Sequence, residues 1–196
     1  MHVKLLGVCL GLSALFGTGL AAQEPQPNPQ VVIETSEGDI TVELFRSEAR
    51  VSVVNFLTYV NDGYYDGTIF HRVIRDFMVQ GGGFTEALSR VTEGLRGGIL
   101  NEATNGLKNE RGTVALARTA NPNSGSSQFF INTADNSALD HQNTTDQGYG
   151  YAVFGRVIDG MNVVDQIEEK PTYTTVTGMG DVPREPITIN QIRRIE

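Results

Sequence analysis

The chain has no tryptophan, a single cysteine and three histidines among its 196 residues, and its 15 basic residues are outnumbered by 23 acidic ones. Each shortage closes off a class of function. The lone thiol, Cys9, lies in an N-terminal stretch that reads as a removable leader. Disulfides, thiolate nucleophiles and cysteine-held metals are therefore excluded from the mature chain. His2, His71 and His141 are too scattered for a metal site and no HExxH spacing accompanies them, so neither a metal nor a cofactor is expected. Losing Lys4 with the leader leaves 14 basic against 23 acidic residues, a charge of -9. That sign is the opposite of what a phosphate-backbone binder needs, and nucleic acid is not an expected partner. An acidic surface instead favours solubility and neutral or basic client chains.

What is present begins with the leader. Residues 1–22 carry Lys4, an apolar run from Leu5 to Leu20 interrupted by Gly and Ser, and the small-residue end Gly19-Leu20-Ala21-Ala22. This predicts a signal peptide cleaved after Ala21 or Ala22, a periplasmic location and no stable membrane association afterwards. A retained membrane anchor is the alternative, and a purified chain starting at Met1 would decide for it. Leu6-Gly7-Val8-Cys9 is a poor lipoprotein signal. Pro25, Pro27 and Pro29 make residues 23–30 an extended linker, and one folded domain is expected over residues 31–196.

Within that domain the periodicity is mostly that of strands. Val31 to Thr35 and Ile40 to Leu44 flank Ser36-Glu37-Gly38-Asp39, which predicts a hairpin with Ile40, Val42 and Leu44 facing inward. Six more β-like runs follow: Thr68 to Val73, Phe77 to Gln80, Thr113 to Ala117, Gln128 to Asn132, Tyr151 to Val157 and Ile187 to Ile192. Ser47 is placed to cap a helix reaching about Val60, with Val51, Val54, Leu57 and Thr58 on one face and Asn61-Asp62-Gly63 as its stop. A second helix is expected over Asn162 to Glu169. Eight strands with two helices predict a mainly β fold: a closed eight-stranded antiparallel β-barrel capped by the two helices. The long loops 81–109 and 134–150 are candidates for function.

Two clusters concentrate side chains of mixed chemistry. The first is Ile69-Phe70-His71-Arg72-Val73-Ile74 with Phe77-Met78-Val79-Gln80-Gly81-Gly82. The second pairs Leu116-Ala117-Arg118-Thr119 with Ser127-Gln128-Phe129-Phe130-Ile131-Asn132 across a Pro/Asn/Ser/Gly loop. In order and spacing Phe70 to Ile74, Phe77 to Gly82 and Ser127 to Ile131 resemble the signature segments of cyclophilins, and the likeness runs from Val31 to the C-terminus. Leu116-Ala117-Arg118-Thr119, Gly148-Tyr149-Gly150-Tyr151 and Asp159-Gly160-Met161-Asn162 resemble the family's bacterial branch.

The resemblance implies a cofactor-independent peptidyl-prolyl cis/trans isomerase acting on proline-containing segments of unfolded or folding proteins. Rotation about a prolyl bond breaks amide resonance against a barrier of roughly 18–20 kcal/mol and makes no covalent bond, so it needs no nucleophile. It needs an apolar grip on the ring and a donor for the twisted amide, whose nitrogen becomes a better acceptor; a permanently charged guanidinium suits that. By resemblance Arg72 is the catalytic donor, and Phe77, Met78, Phe130 and Leu139 line the proline pocket. Gln80 and the main chain near Ala117 and Arg118 hold the peptide, while His71 and Tyr151 complete the rim. The missing tryptophan, with Ala138 before Leu139 and Tyr151 in place of a rim histidine, implies weak cyclosporin binding.

Other readings of the same residues carry less. Gly81-Gly82-Gly83 lacks the downstream spacing of a phosphate cradle and reads as a bulge or bend after a strand. Gly125-Ser126-Ser127 lacks a nucleophile elbow. Strand alternation sends Phe129 and Phe130 to opposite faces, so one of them is core. A proline-peptide-binding module or holdase is the competing function, and Arg72 separates the two, since binding alone needs only the apolar pocket. No coiled coil or repeat is evident, and a monomer is expected.

Overall fold

The computed structural model describes His2 and residues 27–195. Apart from His2, the expected leader lies outside the described residues, as does the first half of the linker. Among the described residues ten strands and two α-helices run in chain order. They are β1 (Gln30–Thr35), β2 (Gly38–Leu44), α1 (Arg50–Asn61), β3 (Thr68–Ile74), β4 (Met78–Thr85), β5 (Thr113–Leu116), β6 (Phe129–Asn132), β7 (Val153–Asp159), α2 (Met161–Glu168), β8 (Thr172–Tyr173), β9 (Val182–Pro183) and β10 (Thr188–Ile195). Eight of the strands close an antiparallel barrel in the order β1-β10-β3-β4-β6-β5-β7-β2, as the strand pattern predicts. The short β8–β9 ribbon stands apart from that sheet, and no sequence signal foretold it.

Alternation fills the barrel. In the first hairpin Val31 faces Val42 and Ile33 faces Ile40, all fully buried, with Leu44 beside them. The same inward set continues through Val73, Val79, Ile131 and Val114 on the adjoining strands. An aromatic group thickens this core: Phe56 meets Phe129 edge-on at 5.5 Å between centroids and Phe154 at 5.2 Å. Such pairs add stabilisation beyond the area they bury.

Helix α1 differs from expectation in two respects. It begins after Ala49, not at Ser47, and no side chain at the N-cap caps it. The carboxylate of Glu102, some fifty residues away, accepts from Val51 N at 2.9 Å and from Ser52 N and Oγ at 2.8 and 2.7 Å. It thereby satisfies N–H groups that a helix start otherwise leaves orphaned. The buried face is also different. Val53, Phe56, Leu57 and Val60 turn inward, whereas Val51 and Val54 are 38% and 49% exposed. Both stripes have helical spacing, and the one carrying Phe56 buries more apolar area. The stop at Asn61-Asp62 stands as expected.

Helix α2 starts one residue earlier than predicted, after Gly160, and buries Val163, Val164 and Ile167. Gly160 has φ +82, and a Cβ there would come within 2.2 Å of Asp39 O, so no other residue fits. The triple glycine is a correction too. It does not follow a strand but lies inside β4, which runs on to Thr85. Opposite β3 the register slips twice, between Thr68 and Phe70 and again between Phe70 and Arg72. Gly82, at φ +79 with the Tyr65 ring 2.8 Å from where its Cβ would be, lets the strand bulge while staying packed.

Candidate functional site

The second register slip creates the site. Phe70 pairs with Gly81 and Arg72 with Gln80, so three residues of β3 oppose two of β4 and His71 is the extra one. Without that bulge, alternation would send Phe70 and Arg72 to the same face. With it, Phe70 enters the core while Arg72 points out. From Arg72 an outward row crosses the sheet through direct pairs: Arg72 opposite Gln80, Gln80 opposite Phe130, Phe130 opposite Ala115. Met78, two residues from Gln80, shares the face. Met78, Ala115, Phe130 and Val153 form a small apolar cluster outside the barrel, separate from the main core. Phe129 belongs to the main core, so the two adjacent phenylalanines part as alternation requires.

Loops wall this face into a pocket of about 400 Å³, counting its open mouth, lined by Arg72, Phe77, Met78, Gln80, Ala117, Arg118, Phe130, Leu139 and Tyr151. These walls are held from behind. Asn136 donates from Nδ2 to Phe77 O at 2.7 Å and to Asn132 Oδ1 at 2.8 Å, and its carbonyl accepts from Leu139 N at 2.8 Å. Leu139 O in turn accepts from Tyr151 N at 2.9 Å, which links three pocket residues through one asparagine. Asn132, wholly buried, donates to Thr113 Oγ1 at 2.9 Å. A satisfied buried network of this kind fixes one arrangement of the chain.

Arg118 contributes to the wall rather than projecting into solvent. Its Nε donates to Gly150 O at 2.9 Å, Nη1 to Thr119 O and Ala120 O at 3.0 and 3.2 Å, and Nη2 to Asp146 O at 2.9 Å. Its guanidinium lies 4.7 Å from the centroid of the Tyr151 ring, which meets Phe130 edge-on at 5.7 Å. Gln80 is oriented by donating to Gln128 Oε1 at 2.9 Å. The guanidinium of Arg72, by contrast, makes no protein hydrogen bond among the described residues. Its charged neighbour is Asp181, with Nε 3.6 Å from Oδ2.

His71 does not join the residues it was grouped with. As the bulge residue it is 4% exposed and lies against the Phe84 ring at 4.6 Å, away from the pocket lining. Burial pushes its pKa down to about 4, so the ring is neutral at ordinary pH, and Nδ1 finds no partner. Two residues near the site escaped the sequence reading. Gln128 sits two positions before Phe130, so alternation alone puts it on the pocket side. Asp181 arrives from the β8–β9 ribbon, more than a hundred residues beyond Arg72, with no local signal. Among the described residues no group of three or more His, Cys, Asp or Glu is placed to hold a metal. No helix among them is long and apolar enough to cross a membrane.

With that geometry in view, the chain's likeness to known proteins is informative. The profile of the family described as cyclophilin type peptidyl-prolyl cis-trans isomerase/CLD matches residues 30–194. The peptidyl-prolyl cis-trans isomerase cyp18 of Streptomyces antibioticus is 50% identical over 163 residues, 83% of this chain and 96% of that protein. Peptidyl-prolyl cis-trans isomerase B of Escherichia coli (strain K12) is 47% identical over 163 residues, 83% of this chain and 97% of its own. Among solved structures, a Cryptosporidium parvum cyclophilin type isomerase in the presence of the dipeptide Ala-Pro superposes with a TM-score of 0.68. It is 29% identical, and the match covers 85% of this chain and 99% of that one.

Proposed function

The chain belongs to the cyclophilin-type peptidyl-prolyl cis-trans isomerases and is an isomerase of that kind, and from this premise we propose that Arg72 is its catalytic residue and the outward pocket its proline site. The observation that carries the reading is the row itself: a guanidinium with no hydrogen bond among the described residues stands on the same face as the apolar cluster of Met78 and Phe130. Phe77, Met78, Phe130 and Leu139 hold the pyrrolidine ring. Arg72 donates to the prolyl nitrogen as the bond twists, stabilising a charge distribution that exists only part-way through the rotation. Gln80 and the main chain at Ala117 and Arg118 fix the peptide on either side.

No group in this arrangement needs to gain or lose a proton. His71 is buried and neutral, and its part is to shape β3 rather than to touch substrate. The substrates are extended, proline-containing segments of folding proteins. The solved relative in the presence of Ala-Pro supports that chemistry. The leader-like residues 1–22 support export, with the linker 23–30 ahead of the enzyme and newly exported proteins in the periplasm as its clients. We take the protein to act as a monomer, since the sequence carries no coiled coil or repeat. Cyclosporin binding is weak on this reading, since Ala138 offers no indole beside Leu139; nanomolar inhibition would contradict it.

The test is cis–trans exchange of an Xaa-Pro peptide followed by NMR, comparing the protein with Arg72→Ala. The variant is expected to lose turnover by about a hundredfold or more, the usual cost of deleting a transition-state donor, while still binding the peptide. Unchanged turnover would remove Arg72 from the mechanism. Binding without exchange in the unaltered protein would favour a holdase.

A further inference from the structure

We propose that Asp181 is a positioning residue for Arg72, holding one side of the guanidinium so that its terminal nitrogens face the proline pocket. The inference rests on the reading of Arg72 given above and extends it to a residue that is not in the pocket.

The starting point is an incomplete strand pairing. Strand β10 pairs with β3 only at Thr188 opposite Ile69 and Ile189 opposite Thr68. Beyond that the outer side of β3 has no barrel neighbour, although its backbone donors still need acceptors. Ile187 O takes Phe70 N at 2.9 Å, and Asp181 O takes Val73 N at 2.8 Å. The β8–β9 ribbon therefore covers the open side of β3 at the residue next to Arg72. Asp181 immediately precedes β9, which pairs with β8 through Tyr173 opposite Val182.

The local backbone is unusual at that point. Asp181 has φ +59, in the left-handed region that non-glycine residues other than Asn and Asp seldom occupy. Held in this way, Asp181 contacts two successive residues of β3: its carbonyl accepts from Val73 N, and its Oδ2 lies 3.6 Å from Arg72 Nε. Stability does not account for the pair. Arg72 and Asp181 are 42% and 46% exposed, and ion pairs at such exposure add little to folding. A left-handed turn kept at a half-exposed position beside the proposed catalytic group is better explained by what it orients.

Orientation matters here because an arginine side chain has many rotamers, and only those presenting the terminal nitrogens to the pocket serve the reaction. A carboxylate at Nε restricts the stem and leaves Nη1 and Nη2 uncommitted. This differs from Arg118, whose Nε, Nη1 and Nη2 are all bonded to carbonyls of the surrounding loops. One arginine is built into the wall, and the other faces a single carboxylate at ion-pair distance, its donors making no hydrogen bond among the described residues.

The choice of substitution separates the carboxylate from the backbone it sits on. Asp181→Gly tolerates the positive φ, so the ribbon stays docked while the carboxylate is lost. Asp181→Asn also tolerates that φ and keeps an acceptor oxygen for Nε. In the peptide exchange assay Asp181→Gly is expected to lower kcat by about three- to fivefold with KM unchanged, the upper end of what an exposed pair delivers. Asp181→Asn is expected to recover to within about twofold of the parent. The Arg72 Nε–Hε resonance should move in Asp181→Gly and return towards its original place in Asp181→Asn. Unchanged kcat in Asp181→Gly, equal losses in both variants, or an unmoved Arg72 resonance would each overturn the proposal. The Arg72→Ala result keeps the two readings apart. If that variant retains full turnover the underlying reading fails, and if it loses turnover while Asp181→Gly does not, only the role of Asp181 fails.

Discussion

Along β3, β4, β6 and β5 successive residues go to opposite faces, and the molecule fills those faces differently. The inward row of Val73, Val79, Ile131 and Val114 is aliphatic, fully buried and continuous with the aromatic group around Phe129. The outward row of Arg72, Gln80, Phe130 and Ala115 mixes a charge, an amide and a ring, and only loops close over it. Buried side chains fill the interior of this barrel and leave no room inside for a ligand. The pocket proposed as the proline site lies outside, where loops hold a wall without filling the space. The backbone rigidity built by the inner face fixes the spacing of the outer one.

Two adjacent phenylalanines test this division most sharply. Phe129 is wholly buried, edge-on to Phe56, Tyr65 and Phe70. Its replacement by Ala is expected to cost about 3–5 kcal/mol, a large part of an ordinary domain's stability, and to lower Tm by roughly 10 °C or more. The folded fraction should keep its isomerase rate. Phe130→Ala should do the reverse, with a smaller fall in Tm and a loss of more than about tenfold in kcat/KM per folded molecule, because it removes the pocket floor. Thermal melts beside exchange rates at matched folded fraction decide it. If both variants lose rate and stability in the same proportion, the two faces are not functionally separate.

Much of this was legible in the sequence because it depends on neighbours. The hairpin of β1 and β2, the eight barrel strands and the parting of Phe129 from Phe130 all follow from period-two alternation. The pocket gathers Arg72, Phe77, Met78, Gln80, Ala117, Arg118, Phe130, Leu139 and Tyr151, because the resembling segments carry their own spacing. What escaped depends on partners far along the chain. The sequence reads the Val51-Val54 stripe as the buried face of α1, whereas the barrel offers Phe129 and Phe154 to Phe56 and turns the Phe56 stripe inward. Glu102 replaces a local cap, and Asp181 reaches Arg72 through a ribbon too short to leave a strand pattern. His71 was misplaced because one added residue in β3 inverts the alternation on either side of it.

His71 sharpens the comparison because it occupies the bulge between the two faces. Burial lowers its pKa from 6.5 to about 4, so between those values the unfolded chain binds a proton that the folded chain refuses. Its contribution to stability is therefore intact above about pH 6.5 and falls as pH drops towards 4, by up to about 3 kcal/mol. Urea melts between pH 4 and 7 should show this acid limb, and His71→Asn should flatten it. The isomerase rate at full folding should stay level over the same range. A rate at full folding that follows a single titration near pH 4, and loses that titration in His71→Asn, would put His71 back among the working groups of the outer face.

Glu102 offers the smallest and most selective test, since it belongs to the inner side while lying in a loop that also reaches the outer one. Its carboxylate ties the start of α1, whereas its neighbour Asn101 donates to Gly150 O, the same carbonyl that accepts from Arg118 Nε. Replacement by Ala removes three hydrogen bonds at a helix N-terminus and is expected to cost about 1–2 kcal/mol. On the division argued here that loss stays with α1: Tm falls by a few degrees, amide exchange quickens over residues 50–53, and kcat/KM is unchanged within error. A parallel fall in kcat/KM would mean that the strain passes through Asn101 to the Arg118–Tyr151 wall. The pocket would then depend on helix α1 as much as on the loops that wall it.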